Sequence, residues 1–226
     1  MNVLVVAAHP DDELLGCGAT VARLAREGHA VYIAILGEGI TSRHRTRESA
    51  EAEKLKSLHD ASRRVADLLG AKDLSLHGLP DNQFDSLPLL EVIKIVEELI
   101  ERWRPTAIYT HHCGDLNIDH EVVGRAVLTA TRPMQGQSVR ELYMFEIASS
   151  TEWAFQQLSP VFRPNVFVDI AETLPLKLKG MRLYETEARP FPHPRSTEAL
   201  TAIAQRWGSV SGCQAAEAFE AVRLLR

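Results

Sequence analysis

The stretch Ala8-His9-Pro10-Asp11-Asp12-Glu13 constrains this chain more than any other part of its 226 residues. It follows an apolar run at residues 3–7 that is too short for a buried helix and has the β-branched content of a buried strand. In an open α/β sheet, ligands bind where the strands end. One imidazole and two adjacent carboxylates at such a place predict the beginning of a metal site that carries its own base.

Strand-like and helix-like segments alternate along the rest of the chain. Further strands are predicted at residues 31–36, 73–77, 106–110, 140–147 and 165–169. Helices are predicted at residues 15–26, 48–69, 89–103, 121–131, 172–187 and 196–207, with a last short helix at 215–225. This alternation predicts a single α/β domain over residues 1–226, built as a three-layer α/β sandwich with a mostly parallel, Rossmann-like sheet.

Composition narrows the partners and the compartment. The formal net charge of −5 gives no sign of a nucleic-acid partner. Cys17, Cys113 and Cys213 are widely spaced, which argues against a disulfide framework and a cysteine zinc site, so we expect a cytoplasmic protein. The amino terminus has no basic lead-in and its apolar run is short, so we expect neither a signal peptide nor a membrane span. Apolar helix faces could pair copies of the chain in a homo-oligomer.

A second polar cluster follows the predicted strand at 106–110. It has the sequence His111-His112-Cys113-Gly114-Asp115-Leu116-Asn117-Ile118-Asp119-His120. His120 is the best candidate for a further ligand, because the positive end of the following helix disfavours the imidazolium form. His9, Asp12 and His120 would form a ligand set with an open position for water. Asp11 could then accept a proton from that water.

The hexapeptide at 8–13, combined with an Asp-His pair that opens a later helix, resembles the LmbE-like/PIG-L family of zinc-dependent de-N-acetylases. The resemblance covers the organisation of slightly more than the amino-terminal half of the chain. It implies that His9, Asp12 and His120 bind Zn²⁺, or another divalent metal in its place. It also implies that Asp11 is the general base and that Asp119 supports the site. The substrate would be a small molecule or glycoconjugate that contains an N-acetylated sugar such as N-acetylglucosamine.

The chain departs from this family at Asn117. Many members carry His-Pro-Asp-His where this chain has Asn117-Ile118-Asp119-His120, and their first His stabilises the oxyanion or protonates the amine. Asn can donate a hydrogen bond but cannot deliver a proton as an acid. We therefore hypothesise that His193, in the Pro-rich stretch 189–196, enters the site as the missing acid or oxyanion partner. The alternative is a surface loop in which Ser196 caps the next helix.

Three further residues are candidates for substrate contacts. Arg47 lies in a basic cluster and could bind an anionic group such as phosphate, although a solvated run of charges is an equal alternative. Asp81 and Asn82 lie in a turn after the third predicted strand and could contact sugar hydroxyls. His112 and Asp115 lie close to the predicted ligands, and we interpret them mainly as hydrogen-bonding residues of their own loop.

The predicted function is metal-dependent hydrolysis of an N-acetyl group on an amino sugar or related glycoconjugate, with release of acetate. Two alternatives are open at this point. A metal-dependent phosphoesterase would also use carboxylates and His at strand ends, but it would need a second metal and release phosphate. A non-catalytic protein could bind a sugar or nucleotide there. Such a protein would have little use for Asp11, a carboxylate that lies beside the metal without binding it.

Overall fold

The sheet is the centre of the molecule, which we describe from a computed structural model covering residues 1–41 and 52–226. The strands are β1 (Asn2–Ala7), β2 (Ala30–Gly37), β3 (Asp73–Leu79), β4 (Ala107–His111), β5 (Glu141–Phe145), β6 (Val166–Asp169) and β7 (Ala216–Leu224). They form one sheet in the order β3-β2-β1-β4-β5-β7-β6. The first five strands of this order are parallel, whereas β7 runs antiparallel to both β5 and β6.

Helices cover both faces of the sheet. Those in the described part of the chain are α1 (Asp12–Arg26), α2 (Ala52–Leu69), α3 (Leu89–Trp103), α4 (Ile118–Ala130), α5 (Leu174–Leu183) and α6 (Thr197–Ser211). Side chains of α1, α2, α5 and α6 belong to one core cluster, and those of α3 and α4 belong to the other. The fold is therefore the predicted three-layer α/β sandwich with a mostly parallel sheet. No helix within residues 1–41 and 52–226 is both long and apolar enough to cross a membrane.

Strand β1 contributes to both cores. Val3 and Val5 pack into the first core cluster, whereas Leu4 and Val6 pack into the second, and all four are fully buried. Successive side chains of a strand point to opposite faces, so a strand covered on both sides is apolar throughout. The apolar run before His9 is for this reason an interior strand of the sheet.

The prediction for the carboxyl-terminal segment is wrong. Residues 215–225 do not form a helix, and strand β7 (Ala216–Leu224) runs through them. Their Ala, Glu and Leu content favours a helix locally, but this propensity is weak. Pairing with β5 and β6 and burial of Ala218 and Phe219 outweigh it. The first helix begins at Asp12, three residues before the apolar spacing that predicts it, with Asp11 at its N-cap and Asp12 and Glu13 in its first turn.

The parallel pairing of β1 with β4 brings the two polar clusters together. The register pairs Val3 with Ala107 and continues to the end of both strands. His9 follows β1 directly, and His111 is the last residue of β4. Both clusters consequently lie at the same edge of the sheet, as predicted from the sequence.

Candidate metal centre and active site

The three predicted metal ligands converge beyond the ends of β1 and β4. His9 Nδ1 lies 3.3 Å from Asp12 Oδ2, and His120 Nε2 lies 3.2 Å from the same oxygen. Each residue offers one ligand atom, and these atoms lie within 4.8 Å of one another. Two imidazole nitrogens and one carboxylate oxygen form the donor set of a catalytic zinc site with an open position.

The environment of His120 fits a bound metal ion. The ring is buried, and its Nε2 atom makes no hydrogen bond of ordinary geometry within the described residues. A buried polar atom without a hydrogen bond destabilises the fold, and coordination to a metal ion would remove this destabilisation. On the opposite side of the ring, Nδ1 lies 3.1 Å from Asp115 Oδ1. A carboxylate in that position orients a metal-binding imidazole.

His9 is oriented from its far side in the same manner. Its Nε2 atom lies 2.9 Å from Asp119 Oδ2, which leaves Nδ1 facing Asp12. Asp119 is fully buried and accepts hydrogen bonds from the backbone N–H groups of Asn82 at 2.7 Å and Phe84 at 2.9 Å. These contacts agree with the predicted supporting role of Asp119, in which it would orient His9 without coordinating the metal.

A second cluster of potential ligands overlaps the first. His9, Asp81 and Asp119 also place ligand atoms within 4.8 Å of one another. This cluster uses His9 Nε2, which lies 3.2 Å from Asp81 Oδ1 and already faces Asp119. Because both Asp119 oxygens accept backbone hydrogen bonds, we assign this cluster to support of His9 and not to a second metal ion.

The neighbouring carboxylates shift the protonation of both imidazoles. Burial acts to lower the pKa of His9, but Asp119 and Asp12 outweigh it and raise the pKa to about 10. Burial is similarly outweighed at His120, whose pKa Asp12 and Asp115 raise to about 9. Burial acts to raise the pKa of Asp12, but His120 and His9 hold it well below its usual range. Metal binding must therefore displace protons from the two rings.

Asp11 lies beside the ligands in a strained backbone conformation. Its φ of 101° falls in the left-handed region that favours glycine. The side chain is 2% exposed, and Oδ2 accepts a hydrogen bond from Arg195 Nη1 at 2.6 Å. Burial raises the pKa of Asp11 well above its usual range, although Arg195 acts in the opposite direction. A buried carboxylate with a raised pKa beside a metal site has the properties of a general base.

Glu13 holds the backbone at this strained position. Its Oε2 atom accepts a hydrogen bond from the backbone N–H of Asp11 at 3.1 Å, and its Oε1 atom accepts one from the Tyr184 hydroxyl at 2.6 Å. Burial raises the pKa of Glu13 to about 7, although the Tyr184 hydroxyl acts to lower it. Glu13 thereby connects the residue before α1 to the end of α5.

A cavity of about 130 Å³ opens onto the three predicted metal ligands. It is lined by His9, Pro10, Asp11, Asp12, Gly39, Ile40, Leu58, Asp81, Asn82, Asn117, His120, Ser149, Ser150, Glu187 and Arg195. Most of these side chains are polar and can exchange hydrogen bonds with a hydroxyl-rich ligand. We take this cavity as the candidate active site.

Asn117 lines the cavity and caps α4. Its side-chain oxygen accepts a hydrogen bond from the backbone N–H of Asp119 at 2.9 Å. Its own backbone N–H donates to Asp115 Oδ1 at 2.9 Å. Because the cap uses the amide oxygen, the amide NH₂ group is the part of Asn117 that can donate to a ligand. The cap also fixes the first turn of α4, which carries His120.

The loop between α5 and α6 contributes Arg195 to the cavity, whereas His193 is not among the lining residues. His193 Nδ1 accepts a hydrogen bond from the backbone N–H of Arg195 at 3.1 Å, and its ring packs against Trp153. Ser196 caps α6, since its hydroxyl accepts a hydrogen bond from the Ala199 N–H at 3.0 Å. Arg195 is thus a site residue that sequence reasoning missed, although the two Arg residues flanking His193 were a visible signal.

The other predicted site residues have three different outcomes. Asp81 and Asn82 line the cavity, so their predicted contacts with sugar hydroxyls are sterically open. Arg47 lies outside the described residues, and its role stays a prediction. His112 Nε2 lies 2.8 Å from the Pro160 carbonyl oxygen and Nδ1 lies 2.9 Å from Glu220 Oε2, so its contacts reach a second loop and β7 and not its own loop alone.

His111 is a second residue that sequence reasoning did not assign to the site. Its buried ring stacks on His120 with 4.0 Å between ring centroids, and its Nε2 accepts a hydrogen bond from the Ala8 N–H at 2.8 Å. Burial, together with the charge of His120, lowers the pKa of His111 well below its usual value. The neutral His111 ring therefore connects Ala8, at the end of β1, to His120 of α4. Its position at the end of β4 was the available signal.

A separate cavity of about 150 Å³ lies between α1, α6 and β7. Leu200, Trp207 and Ala216 are among its lining residues. None of the three metal-binding side chains reaches it, so it is distinct from the candidate active site.

Comparison with known proteins connects this geometry to a family. A sequence profile described as PIG-L, GlcNAc-PI de-N-acetylase, matches residues 4–131, which is more than half of the chain. The chain belongs to the PIG-L family. The matched region contains His9, Asp12 and His120, whereas Arg195 lies beyond its end. The PIG-L match therefore covers the metal centre and leaves out the loop that contacts the proposed base.

Curated relatives of this PIG-L protein carry names that describe deacetylation. The Uncharacterized deacetylase YaiS of Escherichia coli (strain K12) is 28% identical, over 82% of this chain and 91% of its own. The Diacetylchitobiose deacetylase of Thermococcus kodakarensis is 26% identical, over 96% of this chain and 81% of its own. A Probable N-acetyl-alpha-D-glucosaminyl L-malate deacetylase 2 of Bacillus anthracis is 24% identical, over 82% of this chain and 81% of its own.

Solved structures show that the PIG-L fold extends along the whole chain. The N,N'-diacetylchitobiose deacetylase of Pyrococcus horikoshii has a TM-score of 0.77 and 20% identity, over 98% of this chain and 84% of its own. The 4-carboxy-2-hydroxymuconate hydratase GalB of Pseudomonas putida has a TM-score of 0.75 and 19% identity, over 98% of this chain and 95% of its own. Since one of these proteins is named a hydratase, the reaction must be argued from the site and not from the fold.

Proposed function

We propose that the protein is a zinc-dependent deacetylase that hydrolyses the N-acetyl amide of an amino sugar or related glycoconjugate. The observation that carries this proposal is the convergence of His9, Asp12 and His120 on one position, with Asp11 beside them. Membership of the PIG-L family and the names of its relatives support the same reaction. We further propose that residues 1–226 form one catalytic domain.

The proposed metal is held by His9, Asp12 and His120, with Asp119 and Asp115 orienting the two imidazoles. A bound zinc ion supplies Lewis-acid activation of water and of the acetyl carbonyl. Zinc is our choice because of the two imidazoles and the single carboxylate, although other divalent ions accept the same ligands.

The proposed role of Asp11 is to take a proton from the attacking water. Its Oδ2 atom is occupied by the hydrogen bond from Arg195, so Oδ1 is the oxygen that we assign to proton transfer. The raised pKa of Asp11 makes the carboxylate a better base than an exposed Asp. After water adds to the carbonyl carbon, the protonated Asp11 returns this proton to the amide nitrogen. The C–N bond then breaks, and acetate and a free amine are the products.

Oxyanion stabilisation is the role that the departure at Asn117 leaves open. Asn117 lines the cavity at the start of α4, and its NH₂ group, which the cap leaves unused, is our first candidate donor. Arg195 is the second candidate, because its guanidinium lines the same cavity. His193 ranks behind both as an acid or oxyanion partner, because it does not line the cavity and its Nδ1 accepts a hydrogen bond from the Arg195 backbone.

The substrate-binding roles proposed for Asp81 and Asn82 rest on their position in the cavity lining. Both lie in the turn after β3, on the side of the cavity where Asp119 is anchored. A sugar ring placed with its acetamide at the metal would bring its hydroxyls within reach of such polar side chains.

The experiment is a substrate panel with two readouts. The protein is loaded with Zn²⁺ and incubated with N-acetylglucosamine, diacetylchitobiose, a nucleotide sugar bearing N-acetylglucosamine and an N-acetylglucosaminyl malate. We expect acetate and a free amine in equal amounts with at least one compound, and release slower by about 10³-fold with Asp11→Asn. Release of phosphate from a phosphate monoester without acetate release would support the phosphoesterase alternative. Hydration of an enoic acid without amide hydrolysis would place the protein with the hydratase instead.

A further inference from the structure

The helix that carries Asp12 is broken. Cys17, inside α1, has φ −149° and ψ 19°, which is not a helical conformation. The break separates a short first segment, which holds Asp12 and Glu13, from the longer remainder of the helix. A broken helix leaves backbone N–H and C=O groups without their usual partners, and buried groups of this kind must be satisfied by other atoms.

A buried ion pair occupies the place of one missing helical hydrogen bond. In an uninterrupted α-helix the Ala19 N–H would donate to the Leu15 carbonyl. Here Lys177 Nζ donates to the Leu15 carbonyl at 2.7 Å, and Glu217 Oε1 accepts from the Ala19 N–H at 3.2 Å. The two side chains are themselves joined by a contact of 2.6 Å between Nζ and Oε1.

The same pair makes a further hydrogen bond with the second segment of α1. Glu217 Oε2 accepts a hydrogen bond from the Thr20 N–H at 2.7 Å. A carboxylate that accepts hydrogen bonds from two successive N–H groups at the start of a helix is stabilised by the positive end of the helix dipole. Lys177 comes from α5 and Glu217 from β7, and their side chains are 8% and 5% exposed. The break is therefore held by two elements that are distant in sequence.

We propose that Lys177 and Glu217 are positioning residues that set the orientation of the first segment of α1 and thereby the position of Asp12 at the metal centre. The pair contacts neither the metal ligands nor the cavity at the strand ends. If it is removed, the Ala19 N–H and the Leu15 carbonyl are free to bond with each other, and α1 can straighten through Cys17. Straightening would turn the first segment and move Asp12 away from His9 and His120. This inference rests on the metal site proposed above.

The decisive variant is the double substitution Lys177→Met with Glu217→Gln. Replacement of both charges avoids leaving one buried charge unpaired, and such replacements are often well tolerated by the fold. The metal-free double variant is compared with the parent protein by thermal unfolding, which reports on the fold alone. Lys177→Gln with Glu217→Gln also removes both charges and keeps a polar group at each position, and it takes over the test if the first double variant does not fold.

Metal binding is the primary readout. Co²⁺ is titrated into the metal-free proteins, and its visible absorption band reports the ligand geometry. Zn²⁺ affinity is measured by competition with a chromophoric chelator. We expect the cobalt band to shift and Zn²⁺ affinity to fall by about tenfold or more, as is usual when residues that orient metal ligands are lost. In the loaded enzyme, kcat should fall by a similar factor while KM changes by less than about threefold.

An unchanged cobalt spectrum together with Zn²⁺ affinity within about twofold of the parent would overturn the proposal, whatever happens to thermal stability. The matched control is Arg23→Met with Glu27→Gln, an exposed ion pair between the last turn of the same helix and its C-cap residue. This control should leave the spectrum and the affinity unchanged. Because Co²⁺ and Zn²⁺ binding need no substrate, a failure to deacetylate any compound would count against the proposed function and not against the positioning role.

Discussion

Arg195 Nη1 lies 2.6 Å from Asp11 Oδ2, and the two residues are separated by 184 positions in the chain. The same nitrogen lies 3.1 Å from Glu187 Oε2, and Arg195 Nε donates to the Ser149 hydroxyl at 2.8 Å. The guanidinium thus has three partners, which come from the three loops after β1, β5 and α5. A carboxylate bonded to so constrained a partner has one orientation available to it. Arg195 consequently determines which oxygen of Asp11 faces the cavity.

Replacement of Arg195 by Gln should lower kcat by about 100-fold, because misplacement of a catalytic group by about 1 Å has an effect of that size. Zn²⁺ content should stay at the parent level, since Arg195 contacts no proposed ligand. Acetate release under saturating substrate and elemental analysis of the purified variant check the two statements. Arg195→Lys keeps the charge but not the planar geometry, and an activity equal to the parent would contradict the orienting role.

Replacement of His193 by Ala tests the hypothesis that His193 is the acid or oxyanion partner, independently of the role of Arg195. The ring does not line the cavity, so we expect kcat to fall by less than about threefold, within the range of a peripheral change. The measurement is steady-state acetate release beside Arg195→Gln prepared in parallel. A loss for His193→Ala as large as that for Arg195→Gln would show that His193 is the missing acid or oxyanion partner.

Asp11→Asn tests the proposed base. The amide cannot accept the proton from water, so kcat should fall by about 10³-fold, within the range for loss of general base catalysis. Metal content should be unchanged, because Asp11 is not one of the three ligands. The exposed Asp85→Asn is a matched control and should behave as the parent. If Asp11→Asn retained more than about a tenth of the activity, the assignment of Asp11 would be wrong.

His120→Ala tests the metal centre directly. Loss of one of three protein ligands should reduce bound Zn²⁺ from about one equivalent to nearly none after dialysis. Removal of metal from the parent protein with a chelator should abolish acetate release, and added Zn²⁺ should restore it. His29→Ala, at the turn between α1 and β2, is the matched control for loss of a His. Full metal content in His120→Ala would contradict the proposed ligand set.

Asp115→Asn should change the response of stability to acid. Burial acts to raise the pKa of Asp115, but hydrogen bonds from His120, Ser150 and Thr151 outweigh burial and lower it to about 2. A carboxylate with a lowered pKa stabilises the fold above its unfolded pKa, and this contribution is lost as pH falls through the folded value. The metal-free parent should therefore exceed the variant by about 2 kcal/mol in free energy of unfolding near neutrality.

This difference should shrink as the pH is lowered from 4 towards 2, because the parent then becomes protonated at Asp115 as well. Urea unfolding of both proteins at a series of pH values measures it. A constant difference across that range would mean that Asp115 contributes through packing and not through its charge.

Much of the site could be predicted before the fold was known. The strand before His9 is a continuous apolar run, the predicted strand at residues 106–110 reads Thr-Ala-Ile-Tyr-Thr, and each is followed directly by polar residues. Because parallel strands end at a common edge of the sheet, the sequence was sufficient to predict that His9, Asp12 and His120 lie close together. Nothing in the local pattern identifies Asp115 as the partner of His120 Nδ1, since this contact depends on how the loop before α4 folds back.

The local sequence pattern thus determined the α/β layers, the ends of the strands and the types of residue at those ends. Periodicity and strand length can be predicted in this way because they depend on neighbouring residues. Only the tertiary structure decided that residues 216–224 form a strand, that Arg195 reaches Asp11, and that Lys177 and Glu217 occupy the break in α1. These features depend on contacts between residues far apart in sequence. Their energies come from burial and pairing, which outweigh local propensity and leave no periodic signal in the chain.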